Sequence, residues 1–348
     1  QADMVEHGQD RAVEIEGVPY WDGGYMSNPP MFPFLRTTEA DDIIVVQINP
    51  VQRETTPRSS AEIVNRLNEI TFNSALIAEM RRAVEITANG FDDIIRDLPR
   101  AVAHPRGERI VEGAFHQRAR SDGNWEGYDT IAASGPHACY LHWTRNDGAV
   151  LPGDLILIDA GAEADSLYTA DITRTLPVNG TFSDVQRRIY DTVVEAADAA
   201  FAAAQVGVPF REVHGAAMDV IARRTAEWGL LPVSAEEALD ADKGGQHRRY
   251  MVHGTSHHLG IDVHDCAQAR REMYYDGLIE PGMVFTIEPG LYFQIDDLTV
   301  PEEYRGIGVR IEDDILITAD GPVNLSAGIP RTSAEVEAWI ARVQGSAS

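Results

Sequence analysis

The chain has little cysteine: Cys139 and Cys266 are the two in 348 residues. A disulfide framework is therefore not what holds it together, and two buried thiols in a reducing, cytoplasmic compartment are expected. Lysine is scarcer still, with Lys243 alone among 29 basic residues. Acidic residues outnumber basic ones so far that the formal net charge is −26. Such a charge repels phosphate, which argues against nucleic acid and anionic membrane surfaces as partners. No stretch approaches the ~18 apolar residues of a membrane span. The opening QADMVEHGQDRAVEIEG is acidic and polar, and no signal peptide is expected from it. No G-x-S-x-G elbow occurs, so the nucleophile of a serine acyl hydrolase is missing. Apolar residues still make up 44% of the chain, enough for a large core in an ordinary globular protein.

What is there in quantity is histidine and carboxylate in fixed order. The densest stretch is His253-Gly-Thr-Ser-His257-His-Leu-Gly-Ile-Asp-Val-His264-Asp265. Four acidic residues stand in similar settings: Asp159 in LILIDAG, Asp171 in TADITRT, Glu288 in TIEPGLY and Glu312 in GVRIEDD. One imidazole and four carboxylates suit two hard divalent cations, whose charge the carboxylates would neutralise. Without metal, carboxylates converging on one site repel and raise one another's pKa. Two ions about 3.5–4 Å apart would hold a bridging hydroxide and polarise a carbonyl or phosphoryl oxygen. With no thiolate in the set, Mn²⁺ is favoured, with Co²⁺ or Zn²⁺ as alternatives.

These motifs resemble the pita-bread metallopeptidases, in the branch of aminopeptidase P and prolidase, and most closely bacterial aminopeptidase P through PEEYRGIGVRIEDDILIT. The likeness runs from about residue 80 to 343. It implies that Asp159, Asp171, His257, Glu288 and Glu312 are metal ligands, with Asp171 and Glu312 bridging. It also implies that His142, His253 and His264 contact substrate and steady a tetrahedral intermediate, and that Tyr292 lines the site. Arg310, two residues from Glu312 on an expected strand, would share its face and orient a ligand carboxylate. Pro289 keeps Glu288 extended. Asp159 and Asp171 are 12 positions apart, one more than the family spacing, so a bulge or longer turn is expected in AGAEADSLYTA. Asp265, Asp313 and Asp314 read as solvated or supporting residues, and His137 and His258 as bystanders. Family members are commonly oligomers, so a homodimer or homotetramer is implied.

Residues 1 to about 80 do not fit that family. Tyr20-Trp-Asp22-Gly-Gly and a strand expected over Asp42–Pro50 resemble the C-terminal part of bacterial patatin-like phospholipases, whose catalytic aspartate would be Asp22. With no serine elbow, this segment reads as a catalytically silent fragment, joined near Ala78–Ala83 to a hydrolase domain over 81–348. A Ser59–Glu62 capping box predicts a helix with Ile63, Leu67 and Ile70 on one face. A second box, Ser183 with Gln186, opens a helix ending before Gly207, and another helix spans about Phe210 to Gly229. Leu155, Leu157 and Asp159 alternate on a strand, and residues 250 to 325 are strand-rich. The fold class is α+β, with helices on one side of a curved antiparallel sheet. No internal repeat is visible in the sequence.

Three function classes follow. The first is a metal-dependent Xaa-Pro aminopeptidase, with a dipeptide-only prolidase as its near alternative. In it, Glu288 would pass a proton to the proline nitrogen while His264 steadies the oxyanion. The second is phosphotriester hydrolysis of a small ester at the same dinuclear site. The third is a scaffold that binds a partner through the N-terminal segment.

Overall fold

The computed structural model describes residues 13–15, 18–20 and 60–345, with side chains from residue 77 onward. The chain divides into two compact units, Gln1–Glu79 and Met80–Ser348. In the first, β1 (Val13–Ile15) pairs antiparallel with β2 (Val18–Tyr20). Asp22 and the strand expected over Asp42–Pro50 lie outside the described residues.

Helix α1 (Ser60–Val102) runs on through Pro99, and α2 (Gly107–Asp122) follows it. From Met80 onward α1 buries Ala83, Ile86, Phe91, Ile94, Ile95 and Leu98, at helical spacing. Phe115 of α2 meets Phe91 edge to face, with centroids 6.4 Å apart. Strands β3 (Trp125–Glu126), β4 (Ile131–Ser134), β5 (Leu155–Ala160), β6 (Ala162–Glu163) and β7 (Ile172–Pro177) come next. They are followed by a second helix pair, α3 (Asp184–Ala203) and α4 (Arg211–Glu227). The Ser183 capping box forms in both directions, with Gln186 N–H donating to Ser183 Oγ and Ser183 N–H to Gln186 Oε1. Short α5 (Ala235–Leu239) and α6 (Arg271–Tyr274) lead into β8 (Val284–Ile287), β9 (Gly290–Phe293), β10 (Ile307–Arg310), β11 (Asp313–Thr318) and β12 (Gly321–Asn324). Helix α7 (Ser333–Gly345) closes the unit by packing Trp339 on Phe91 and donating its indole N–H to Asp92. Helix pair then strands, twice over, is a repetition of element order that the sequence does not display.

Every strand pairing among the described residues is antiparallel, as expected, but the sheet is built from separate pieces ordered β4-β5-β7, β12-β11-β8, β10-β9 and β3-β6. All six residues of β5 are buried, so the alternation of Leu155, Leu157 and Asp159 separates two covered faces, with Asp159 on the one that meets the site. No described helix is long and apolar enough to cross a membrane. Of the two thiols expected to be buried, Cys139 is buried and Cys266 is exposed, because the loop carrying Cys266 lies at the surface.

Arg174 ties β7 to the start of β11 and to the segment before α7. It has no solvent exposure, and its guanidinium donates to the carbonyls of Glu312 (2.7 Å), Thr173 (2.9 Å), Pro330 (2.9 Å) and Ile329 (3.1 Å) and to Asp313 Oδ1 (2.7 Å). A planar fork with five N–H donors suits such a junction. Asp313 in turn accepts from Ser326 Oγ at 2.8 Å. Arg174→Met should therefore strand a buried carboxylate and several carbonyls, at a cost of about 3–5 kcal/mol. Urea unfolding measures this, and a loss below about 1 kcal/mol would show that the junction is not structural.

Candidate metal centre

Each acidic side chain arrives at an interruption or end of a strand. Asp159 lies on β5, opposite Ile131 of β4 and Thr173 of β7. Asp171 immediately precedes β7, and its backbone N–H points at the Asp314 carboxylate. The twelve-residue spacing between them is absorbed by β6 and a turn. Ala164 N–H donates to Tyr168 O at 2.9 Å, and Leu167 takes a φ of 70°. Gly161 lets the two arms touch, since a Cβ there would lie 1.7 Å from the Ala170 carbonyl oxygen.

Glu288 and Glu312 occupy two facing joints. β8 pairs with β11 and β9 with β10, but residues 288–289 and 311–312 belong to neither ladder. At these joints the backbone turns to other partners: Glu288 N–H donates to Thr255 O (2.7 Å) and Glu312 N–H to Thr173 O (3.1 Å). Arg310 therefore ends β10 and Glu312 lies beyond it, so the expected shared strand face is replaced by a bend that aims both inward. Asp313 and Asp314 are buried supports rather than solvated residues.

His257 is pinned to β8 by reciprocal bonds with Thr286. Its Nε2 is 3.3 Å from Asp171 Oδ2, 3.6 Å from Glu288 Oε1 and 4.0 Å from Glu312 Oε1. Asp171, His257 and Glu312 each offer a ligand atom, all within 4.8 Å of one another. Asp159 joins this group through Tyr128, whose hydroxyl lies 2.7 Å from Asp159 Oδ1 and 2.5 Å from Asp171 Oδ1. Thr173 Oγ1 donates to Glu312 Oε2 at 2.7 Å. Sequence reasoning missed Tyr128 and Thr173. Neither carries a local signal, since it is the observed register of β5 and β7 that sets Thr173 opposite Asp159.

Arg310 is buried with its guanidinium on Asp159 and 3.2 Å from the Tyr292 hydroxyl. Tyr292 is buried behind His253 instead of lining the cleft, and its hydroxyl donates to His253 Nε2 at 2.7 Å. His253 Nδ1–H donates to Gly254 O at 2.6 Å, which fixes the neutral tautomer. Burial, with Arg310 nearby, pushes the His253 pKa down to about 3. A cleft of about 630 Å³ opens over the cluster, with His142, His253 and His264 among its walls. His264 meets His257 edge to face at 4.5 Å. His258 stacks on Phe210 outside the cluster, and His137 is bound to Glu108; neither joins the carboxylates.

The donor set fits divalent cations electrostatically. Burial pushes Glu312 well above the usual carboxylate range, and Asp171, Glu288 and Asp159 add repulsion. Burial takes Glu288 to about 7 and raises Asp159, which Arg310 only partly offsets. For Asp171, burial is outweighed by His257, so its pKa falls. His257 rises to about 9, burial being outweighed by Asp171. One imidazolium and the Arg310 guanidinium cannot balance four carboxylates, and hard divalent cations would supply the missing charge.

A bent antiparallel sheet that collects four carboxylates and an imidazole beneath a histidine-walled cleft defines the pita-bread class of metal-dependent hydrolases. The chain belongs to metallopeptidase family M24, which matches residues 78–319. It is similar to Xaa-Pro aminopeptidase 1 of Streptomyces coelicolor, 57% identical over 269 residues, covering 77% of this chain and 54% of that protein. It is also similar to Xaa-Pro aminopeptidase of Escherichia coli, 40% identical over 263 residues, covering 75% and 57%. Among solved structures, Escherichia coli aminopeptidase P with the inhibitor Pro-Leu superposes with a TM-score of 0.71 at 38% identity, covering 78% of this chain and 60% of that one. Aminopeptidase PepP of Pseudomonas aeruginosa gives 0.71 at 38% identity, with the same coverage. The chain thus spans little more than half the length of these relatives.

Protonation sets a stability test. Glu288, raised from 4.5 to about 7, and His257, raised from 6.5 to about 9, both bind protons more tightly folded than unfolded. Their stabilisation is present at low pH and lost as pH rises through the folded values. The opposing contributions of His253, His214, His247, His258 and His264, whose pKa values are all lowered from 6.5, are complete by about pH 7.5. Metal-stripped protein should therefore lose stability between about pH 7.5 and about 9. Added Mn²⁺ should flatten that slope, because the bound cation replaces the protons. Urea midpoints across this range check it; a metal-free midpoint that climbs instead would contradict the electrostatic account.

Proposed function

We propose that this chain is a Xaa-Pro aminopeptidase, releasing the residue that precedes proline at a peptide N-terminus. The observation that carries this is the convergence of five ligand-type side chains under a cleft walled by three histidines, in a chain whose M24 relatives include aminopeptidases of that specificity. In this reading Asp159, Asp171, His257, Glu288 and Glu312 hold two divalent ions, Mn²⁺ by preference, and the hydrolytic unit is residues 81–348. The bound ions would supply an activated water and polarise the scissile carbonyl.

The chain's own groups do the rest. Proline presents a tertiary amide with no N–H and a rigid ring, so its nitrogen must be protonated to leave. Glu288 would carry that proton, a role supported by its reach to His257 on one side and to the cleft on the other. The His264 imidazole at the rim can donate to the oxygen that becomes negative. His253, held neutral between Gly254 O and Tyr292, and His142 across the cleft bound the substrate. Arg310 holds Asp159 at a fixed angle, and Thr173 does the same for Glu312.

The test is hydrolysis of a Xaa-Pro-Xaa tripeptide by metal-stripped protein titrated with Mn²⁺, with a phosphotriester and a Xaa-Pro dipeptide alongside. Tripeptide cleavage saturating at two ions per chain is expected. Glu288→Gln should lower turnover about 10²- to 10⁴-fold, the usual scale for losing a positioned acid–base group. Cleavage of the phosphotriester in place of the tripeptide would contradict the assignment, and cleavage of the dipeptide alone would redirect it to a prolidase.

A further inference from the structure

Glu108 opens α2, remote in sequence from every ligand-type residue, yet it is fully buried. A buried carboxylate needs donors, and this one has four. Its Oε1 accepts from Ser134 N–H (2.9 Å) and His137 Nδ1 (2.7 Å). Its Oε2 accepts from Trp143 Nε1–H (2.9 Å) and Gly148 N–H (2.6 Å). These donors lie at the start, at two intermediate points and near the end of the segment that joins β4 to β5. The rings of His137 and Trp143 stack at 3.8 Å, so two of the donors also hold each other. Glu108 N–H returns a bond to Gly148 O at 3.1 Å. Gly148 makes this approach possible, since a Cβ there would stand 2.6 Å from His137 Cε1 and 2.8 Å from Glu108 Oε2.

The segment clamped in this way carries Leu141, His142 and Thr144 to the wall of the cleft. His142 is bonded to Trp143 in sequence, and the Trp143 indole is fixed by the carboxylate. We infer that Glu108 is a positioning residue: it locks the 135–148 segment so that His142 faces the metal-centre cleft. The inference rests on the reading above, in which His142 meets substrate.

An ionised carboxylate is acceptor only, which matches four converging donors, two on each oxygen. An amide of the same shape turns an NH₂ toward two of them. Glu108→Gln should therefore loosen the segment, which Asn146 still ties to Ala132 N–H and the Thr130 carbonyl, while leaving the fold and the five ligand-type residues in place. Three readouts test this. Trypsin should cut at Arg145, whose side chain is exposed, about tenfold faster in Glu108→Gln than in wild type under native conditions. Tripeptide kcat/KM should fall about tenfold, carried by KM, with bound Mn²⁺ unchanged. In a His142→Ala background the same change should have almost no further effect on kcat/KM, because both act through one group. Trp143→Phe, which keeps a ring to stack but removes one donor, should show the same pattern more weakly, and it serves if Glu108→Gln does not fold. Equal trypsin nicking, or additive losses in the double variant, would overturn the proposal. If wild-type protein cleaves no Xaa-Pro peptide the functional reading falls, and the nicking comparison still decides whether Glu108 is the lock.

Discussion

Four carboxylates drawn into one buried site are the constraint around which this structure is arranged. In water they would separate; here strand pairing, a bent pair of joints and a tight turn force them together. Burial and mutual repulsion appear in the proton affinities, with Glu312, Glu288 and Asp159 all raised and one imidazole and one guanidinium left to balance them. Nothing in the apolar core requires this. An arrangement that is electrostatically unfavourable on its own makes sense when cations complete it.

The supports make the same point from the other side. Arg310 and Tyr128 hold Asp159, Thr173 holds Glu312, and Arg174 with Asp313 ties the joint at residue 312 to the strand that delivers Asp171. Most of these residues are on strands, whose rigidity limits drift of the carboxylates. The histidines facing them sit on loops, and their placement depends on separate anchors, Tyr292 for His253 and the Glu108 bonds for the His142 segment. A rigid acidic floor and individually braced walls suit a site that grips ions tightly and a substrate transiently.

Much of this was legible in the sequence, because the chemistry dictates residue type. The order Asp, Asp, His, Glu, Glu sits in short strand-like motifs, and the structure gathers all five. The Ser183 capping box and the helix beginning near Phe210 were legible because their signals are local. What was not legible depends on distant contacts. Arg174 reads as one more charged residue beside DIT, and only the fold brings Glu312 and Pro330 to it. Tyr292 sits in EPGLY and reads as a cleft residue, but its hydroxyl is taken up by His253 and Arg310, contacts that only the fold supplies. Cys266 resembles a buried thiol by residue type, yet its loop leaves it exposed. The family match begins at residue 78, so all but the end of the first unit lies outside it.

The central claim is that the buried carboxylates exist to hold two cations. Crystals grown with Mn²⁺ and measured at the manganese edge test it directly. The account predicts two anomalous peaks per chain, about 3.5–4 Å apart, between Asp171, His257 and Glu312, with Asp159 on one flank and Glu288 on the other. No peak in the cluster at saturating Mn²⁺, with the carboxylates still converged, would contradict it.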